Sequence, residues 1–149
     1  MENCEIVKNS SECIYELHEE FIKNIKLSNA IYGISSIYHP DYPLMFLKLA
    51  KSGKNIRLIL TERVFNKVKE KNPKELSEYL ELDNAKMYVV KDTKLAMVIS
   101  DRFLYLSLYF KNGVYDVGEF LISYDKSALM WGEELFDYYL KKSKEIDKI

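Results

Sequence analysis

The feature that most constrains the fold is a short apolar run, Ile56–Leu60, in which only Arg57 is polar. Gly53 precedes the run, and the polar stretch Thr61–Arg63 follows it directly. A nearly unbroken apolar strand is typical of a strand that is covered on both faces, as at the centre of a parallel sheet. Helical patterns flank the run on both sides, which indicates a βαβ arrangement. The run therefore predicts an α/β fold with central parallel strands.

Length, charge and cysteine content bound the class of protein. A chain of 149 residues is long enough for one domain with a sizeable core, and we expect a single domain over residues 1–149. A net charge of −1 is not the basic footprint of a duplex-binding domain, so we do not expect this chain to bind DNA alone. Cys4 and Cys13 imply no disulfide framework and fit a reducing compartment. Because no apolar run reaches membrane-spanning length and no signal peptide begins the chain, we expect no membrane association and a cytoplasmic location.

Helical periodicity and capping residues predict the helices. The first helix runs to about Leu27, and the second ends at Gly53, which suits the C′ position after a helix. The last helix contains Gly132, which would let a neighbouring element approach closely. The predicted helix starts are Ser10 or Ser11, Pro43, Thr61, Asn72, and Asp125 or Ser127.

Strands are predicted where β-branched and aromatic residues cluster or alternate. Phe103–Phe110 alternates most cleanly, and Asn112-Gly113 after it is a strong hairpin signal. The predicted strands are Ile31–Tyr38, Ile56–Leu60, Met87–Val90, Leu95–Ile99, Phe103–Phe110, Val114–Val117 and Phe120–Tyr124.

Polar residues follow two of these strands at the same end, and ligands of open parallel sheets bind in the crevice at the carboxyl ends of the strands. We therefore expect a ligand-binding site there, with further walls and polar handles from aromatic strands and the last helix. The predicted ligand-binding residues are Ser35, Ser36, His39, Tyr42, Thr61, Glu62, Arg63, Ser107 and Trp131. Two alternatives stay open: Thr61 and Ser36 serve only as a helix cap and a backbone partner, and the aromatic residues belong to the core.

The sequence lacks the residue patterns of metal sites, nucleophile elbows and phosphate-binding loops. Two histidines and two cysteines, without Cys-x-x-Cys or His-x-x-x-His spacing, predict no metal site. The chain has no Gly-x-Ser-x-Gly elbow and no glycine-rich phosphate loop, so we expect no cofactor. Basic residues between Lys48 and Lys74 are interpreted as the solvated side of two helices.

Several stretches together resemble the sensor domain of archaeal winged-helix transcriptional regulators, a family that includes methanogenesis regulatory proteins. The resemblance covers most of the chain, from about Ile31 to Tyr139. The stretches that carry it are Gly33–Ser35 with His39–Pro43, Leu47–Gly53 with Ile56–Phe65, Leu95–Leu108, Asn112–Asp116 and Ala128–Tyr139.

The layout is also similar to a single lobe of the phospholipase D-like fold, which serves as an effector domain in TrmB-like regulators. The resemblance implies a mixed sheet with central parallel strands flanked by helices. Enzymes of that fold use His-x-Lys-x-x-x-x-Asp, with histidine as nucleophile. The corresponding stretch here has Asp92 in place of histidine and Ile99 in place of aspartate, with Asp101 two residues late. The resemblance therefore implies a non-catalytic domain.

The sequence thus predicts the effector-binding and dimerisation domain of a transcriptional regulator. Its expected partners are a small-molecule effector, a second copy of the chain, and DNA through a winged-helix domain that we expect to be absent from this chain. Two rival interpretations remain: a phosphodiesterase-like hydrolase with His39 and Glu62 as an acid–base pair, and a pure dimerisation module.

Overall fold

The computed structural model describes residues 4–8, 19–108 and 119–148, with the backbone alone for residues 4–8 and Glu119. In these ranges, eight strands form one mixed sheet in the order β1-β7-β6-β5-β2-β3-β4-β8. The strands β2, β3 and β4 are parallel, and the other neighbours pair antiparallel. The strands are β1 (Cys4–Lys8), β2 (Ala30–Ser35), β3 (Asn55–Thr61), β4 (Ala85–Val90), β5 (Leu95–Ser100), β6 (Leu104–Leu108), β7 (Glu119–Ser123) and β8 (Lys144–Ile146).

Helices cover both faces of the sheet. The helices are α1 (Glu19–Leu27), α2 (Tyr42–Lys51), α3 (Glu62–Lys71), α4 (Pro73–Leu80) and α5 (Lys126–Lys142). Buried residues of α1, α2, α3 and α4 pack in one core cluster, and those of α5 pack in a second cluster. The sheet therefore separates two cores, one beneath four helices and one beneath α5.

The central apolar run forms β3, and both of its faces are buried as expected. Ile56, Leu58 and Leu60 contact the core beneath α1–α4, whereas Ile59 points to the core beneath α5 and has no exposed surface. Because successive side chains of a strand point to opposite faces, a two-sided strand needs apolar residues at consecutive positions. Arg57 is the exception, and its guanidinium lies 5.6 Å from the centre of the Tyr32 ring.

The predicted helix ends agree with the structure where a glycine conformation or a capping hydrogen bond fixes the end of the helix. Gly53 follows α2 with φ of +99°, a conformation that favours glycine. The Thr61 hydroxyl accepts a hydrogen bond from the backbone N–H of Val64 at 3.3 Å and so caps α3. Asn72 was expected to cap α4, but its side chain makes no capping bond there and accepts one from Tyr38 instead.

Gly132 sits where α5 crosses the sheet. A Cβ atom at this position would lie 2.9 Å from Cδ1 of Ile99 and 3.0 Å from Cδ1 of Leu104. Glycine therefore allows the close approach that the sequence predicted.

Other predictions differ from the structure. The first predicted strand was extended to Tyr38, but β2 ends at Ser35. The strands β1 and β8 were not predicted. The hairpin at Asn112-Gly113, the strand Val114–Val117 and the first turns of the first helix lie outside the described residues.

The turn between β5 and β6 ties the amino end of β2 to the rest of the sheet. The Asp101 carboxylate accepts hydrogen bonds from the backbone N–H groups of Asn29 at 2.9 Å and Ala30 at 3.3 Å. Desolvation by burial raises the pKa of Asp101, but these bonds, its own backbone N–H and the Asn29 amide together outweigh that effect and lower it. The charged form is therefore favoured by folding.

A lowered pKa makes stability depend on pH in a defined direction. The contribution of Asp101 is present above its unfolded pKa of about 3.9 and is lost as pH falls through the lower folded pKa. We expect Asp101→Asn to cost about 1 kcal/mol at pH 7, after allowance for solvent screening, and almost nothing once the wild-type carboxyl is protonated. Urea unfolding at neutral and strongly acidic pH would measure this; a pH-independent difference between the two proteins would contradict it.

Candidate ligand-binding site

A cleft lies between the sheet and the helices α2, α3 and α4, and its roughly 770 Å³ of non-atom space includes open solvent at the mouth. Its floor is formed by Leu58, Leu60, Met87 and Val98 from the central strands. The helices add mainly apolar and aromatic side chains: Tyr42, Pro43, Phe46, Val64, Val68, Leu76 and Tyr79. A concave, mostly apolar site with a few polar groups is the usual form of a small-molecule site.

The loop between β2 and α2 contributes residues at the carboxyl end of β2. The imidazole ring of His39 stacks on Tyr42 with 4.9 Å between ring centres, and its Nδ1 accepts a hydrogen bond from the Asp41 N–H at 3.1 Å. Tyr42 in turn packs edge-on against Phe46 at 5.8 Å. The side chain of His39 is 18% exposed. The loop therefore places an aromatic stack against the cleft.

Tyr38 connects this loop to α3 and α4. Its hydroxyl donates a hydrogen bond to Oδ1 of Asn72 at 2.7 Å, and Nζ of Lys67 lies 5.3 Å from the ring centre. Tyr38 also lines the cleft, and its hydroxyl proton is engaged in the hydrogen bond to Asn72.

Tyr79 contributes to the wall of the cleft from α4. It is 3% exposed, and its hydroxyl donates to the Lys86 carbonyl at 2.8 Å. Desolvation by burial strongly raises the pKa of its phenol, so Tyr79 stays neutral and cannot serve as an acid or base near neutral pH.

Three of the predicted site residues, Ser35, His39 and Tyr42, line the cleft together. The Ser35 hydroxyl donates to the Ile37 carbonyl at 2.6 Å. The prediction that the carboxyl end of β2 contributes to a pocket therefore agrees with the geometry of these residues.

The other predicted residues at the strand ends are placed differently. Ser36 is buried and its hydroxyl donates to the Leu95 carbonyl at 2.7 Å, while Thr61 is buried as the α3 cap. Glu62 is exposed, and Arg63 is exposed with one guanidinium N–H bonded to the Ser36 carbonyl at 3.2 Å. None of these four is among the residues that line the cleft.

The two outlying predicted residues are also not brought to the cleft. Ser107 is buried 3.4 Å from the hydroxyl of Tyr105, which does line it. Trp131 is 39% exposed on α5, whose buried side packs on the opposite face of the sheet.

Sequence reasoning missed the α4 wall of the cleft. Leu76 and Tyr79 form the buried side of α4 and line the cleft as well, and Glu75 in the first turn of α4 also lines it. Glu75 is the one carboxylate among the described residues that line the cleft. No signal in the sequence separates a helix face that lines a cavity from one that packs in a core.

Two other features are absent from the described ranges. No group of three or more histidine, cysteine or acidic side chains is placed there to hold a metal ion. Among the same residues, no helix has the length and apolar character needed to cross a membrane.

The mixed sheet with three central parallel strands, one helix on one face and four on the other, defines a single phospholipase D-like lobe, here with an apolar cleft at its strand ends. A family model described as "Methanogenesis regulatory protein FilR1, middle domain" matches residues 14–142. The chain belongs to this family of regulatory-protein domains, as its sequence resemblance implied.

A curated relative agrees with this assignment. The methanogenesis regulatory protein FilR1 of Methanothrix harundinacea is 30% identical over 149 residues, which are 97% of this chain and 33% of that protein. The chain thus spans about a third of the length of the relative it matches.

Solved structures show the same fold at low sequence identity. The archaeal chromatin protein TrmBL2 superposes with a TM-score of 0.75 at 14% identity, over 96% of this chain and 54% of that chain. NucT from Helicobacter pylori superposes with a TM-score of 0.68 at 14% identity, over 97% and 99% of the two chains. Nuc from Salmonella typhimurium, a phospholipase D family member, gives 0.66 at 10% identity over 97% of both chains. The predicted phospholipase D-like fold is confirmed.

Proposed function

We propose that this domain is the non-catalytic, effector-binding sensor of a transcriptional regulator. The observation that carries the proposal is the apolar cleft at the carboxyl ends of β2 and β3, closed by α2, α3 and α4. Membership of a regulatory-protein family supports a regulatory role for a molecule bound there.

The side chains in the cleft favour binding over catalysis. Hydrolysis of a phosphodiester by this fold would need an activated nucleophile beside an acid or base. The sequence has no His-x-Lys pair, and Glu62, the partner considered for His39, is exposed and does not line the cleft. Asp101, the nearest acid to the expected motif, accepts backbone hydrogen bonds at the β5–β6 turn.

Regulation requires that the effector bind two states of the protein with different affinity. The cleft walls belong to three separate helices, so a bound molecule would favour one packing of α2, α3 and α4 over another. In a longer regulator, a change in this packing would alter the position of an attached winged-helix domain. We propose that the regulator contacts DNA through that domain. TrmBL2, which shares the fold, is described as binding DNA.

A second copy of the chain is the other proposed partner. Met130 and Trp131 on the outer side of α5 are 54% and 39% exposed, and such apolar surface supports association. This face lies across the sheet from the cleft, so dimerisation would leave the effector site open.

A neutral fluorescent probe, N-phenylnaphthylamine, tests the effector site. We expect the dye to bind with one-to-one stoichiometry and to lose at least about tenfold in affinity in Ala96→Phe, which fills the cleft, and in His39→Ala, which removes the aromatic stack. Circular dichroism would verify that each variant is folded.

Trp131→Ala supplies the matched control, because it removes an aromatic side chain on the opposite face of the sheet. The control should bind the dye like the wild type. Equal affinity in the wild type, Ala96→Phe and His39→Ala would refute the effector site.

A further inference from the structure

We infer that the effector is an amphiphile with an apolar body and a small head that donates hydrogen bonds, an amine or alcohol rather than a carboxylate, phosphate or sugar. This inference rests on the proposed function, since it names the chemical class that the same cleft would take.

The walls of the cleft determine the body of the ligand. Phe46, Leu58, Leu60, Val68 and Leu76 present hydrocarbon surface from both the sheet and the helices. A polar group that is buried without a hydrogen-bond partner loses its hydration without compensation, which opposes binding. A sugar carries several hydroxyls and a phosphate several charged oxygens, so either would lose more hydration than these walls could replace.

Three of the hydroxyl groups that line the cleft favour a ligand head that donates hydrogen bonds. Ser35, Tyr38 and Tyr79 each donate their single hydroxyl proton to an oxygen of the protein, at 2.6 Å, 2.7 Å and 2.8 Å. A hydroxyl that already donates has only lone pairs left for a ligand. These three groups therefore can accept from a ligand head but cannot donate to it.

The negative charge of Glu75 at the cleft also favours an amine head over a carboxylate head. Glu75 lines the cleft, and no lysine or arginine is among the described residues that line it. Two cations near the cleft have partners in the protein: Lys67 lies over the Tyr38 ring, and Arg63 donates to the Ser36 carbonyl. An ammonium head would be attracted by Glu75 and by the faces of the aromatic rings, whereas a carboxylate head would be repelled.

Three probes with the same chain length separate these heads: hexylamine, hexanol and hexanoate, each titrated into the protein at neutral pH by calorimetry. We expect hexylamine to bind most tightly, hexanol next, and hexanoate at least about tenfold more weakly than hexylamine. Glucose and glycerol phosphate should show no binding that Ala96→Phe removes.

Glu75→Gln tests the charge directly. The variant should lower the affinity for hexylamine by roughly tenfold, leave hexanol unchanged and narrow the gap between hexylamine and hexanoate. Glu81→Gln is the matched control, because Glu81 is exposed at the other end of α4, and it should keep the wild-type order.

The possible results distinguish this inference from the proposed function. Hexanoate binding as tightly as hexylamine, an unchanged ratio in Glu75→Gln, or Ala96→Phe-sensitive binding of glucose or glycerol phosphate would overturn the inference and leave the effector site standing. The inference would also fail if the naphthylamine dye bound and none of the hexyl probes did. Failure of the dye and of every probe to bind would overturn both.

Discussion

Phe136→Ala is expected to lower the free energy of unfolding by about 3–5 kcal/mol, because truncating a buried aromatic ring both removes apolar contacts and leaves a cavity. Phe136 is 2% exposed in the core beneath α5, and its ring stacks on Tyr32 with 5.2 Å between centres. Among the described helices, α5 alone packs on this face, so no second helix can move in to fill the space. Urea unfolding followed by circular dichroism would measure the loss.

Tyr138→Ala is the matched control for this prediction, because it removes an aromatic ring from the same helix at a site that is 51% exposed. Its ring contacts Nζ of Lys142 at 4.3 Å from the ring centre, an exposed cation–π contact, and we expect a loss within about 1 kcal/mol. Similar losses for the two variants would show that α5 does not pack on the sheet as described.

Ser100→Ala is expected to cost about 2–3 kcal/mol, although it removes a single oxygen atom. The hydroxyl oxygen of Ser100 accepts hydrogen bonds from the backbone N–H groups of Arg102 at 3.0 Å and Phe103 at 3.1 Å. It is also hydrogen bonded to the hydroxyl of Ser28, 2.8 Å away. Phe103 has no exposed surface, so its N–H would be left in the core without a partner.

Ser127→Ala provides the comparison for Ser100→Ala, since the Ser127 hydroxyl is exposed and donates to the Asp125 carboxylate at 3.1 Å. Its loss should change the unfolding free energy by no more than about 0.5 kcal/mol. Equal effects of the two substitutions in urea unfolding would contradict the role of Ser100 in the β5–β6 turn.

The elements that the sequence predicted well are those in which burial or backbone conformation strongly restricts which residues can occupy each position. Residues 58–60 are apolar at successive positions because β3 is buried on both faces, and Gly53 marks the end of α2 because it adopts a positive φ. The short strand β8 left no such mark, because Lys144–Ile146 pairs with β4 through backbone groups and two of its three side chains are exposed.

The error at the end of β2 has a physical cause that also concerns the site. Ile37 and Tyr38 continue the apolar pattern of the strand, so the sequence extended it through them. In the structure these side chains line the cleft beyond the strand end. The apolar pattern thus marks side chains that are partly buried at the cleft, whereas the prediction assigned them to the sheet.

The site itself was only partly predictable, because the prediction relied on polar residues near strand ends. That criterion found Ser35, His39 and Tyr42, which line the cleft, and also Thr61, whose hydroxyl is used as a helix cap. It overlooked Tyr79, since an apolar wall has the same helical spacing as a packed core.

One arrangement within the sheet bears on how a signal would leave the domain. In β3, Leu58 and Leu60 form the floor of the cleft, while Ile59 between them supports α5 on the far side. Both surfaces belong to the same single layer of backbone, and a strand cannot move toward one side without moving away from the other. A shift of β3 toward α5 would therefore enlarge the cleft and at the same time change how α5 packs on the sheet.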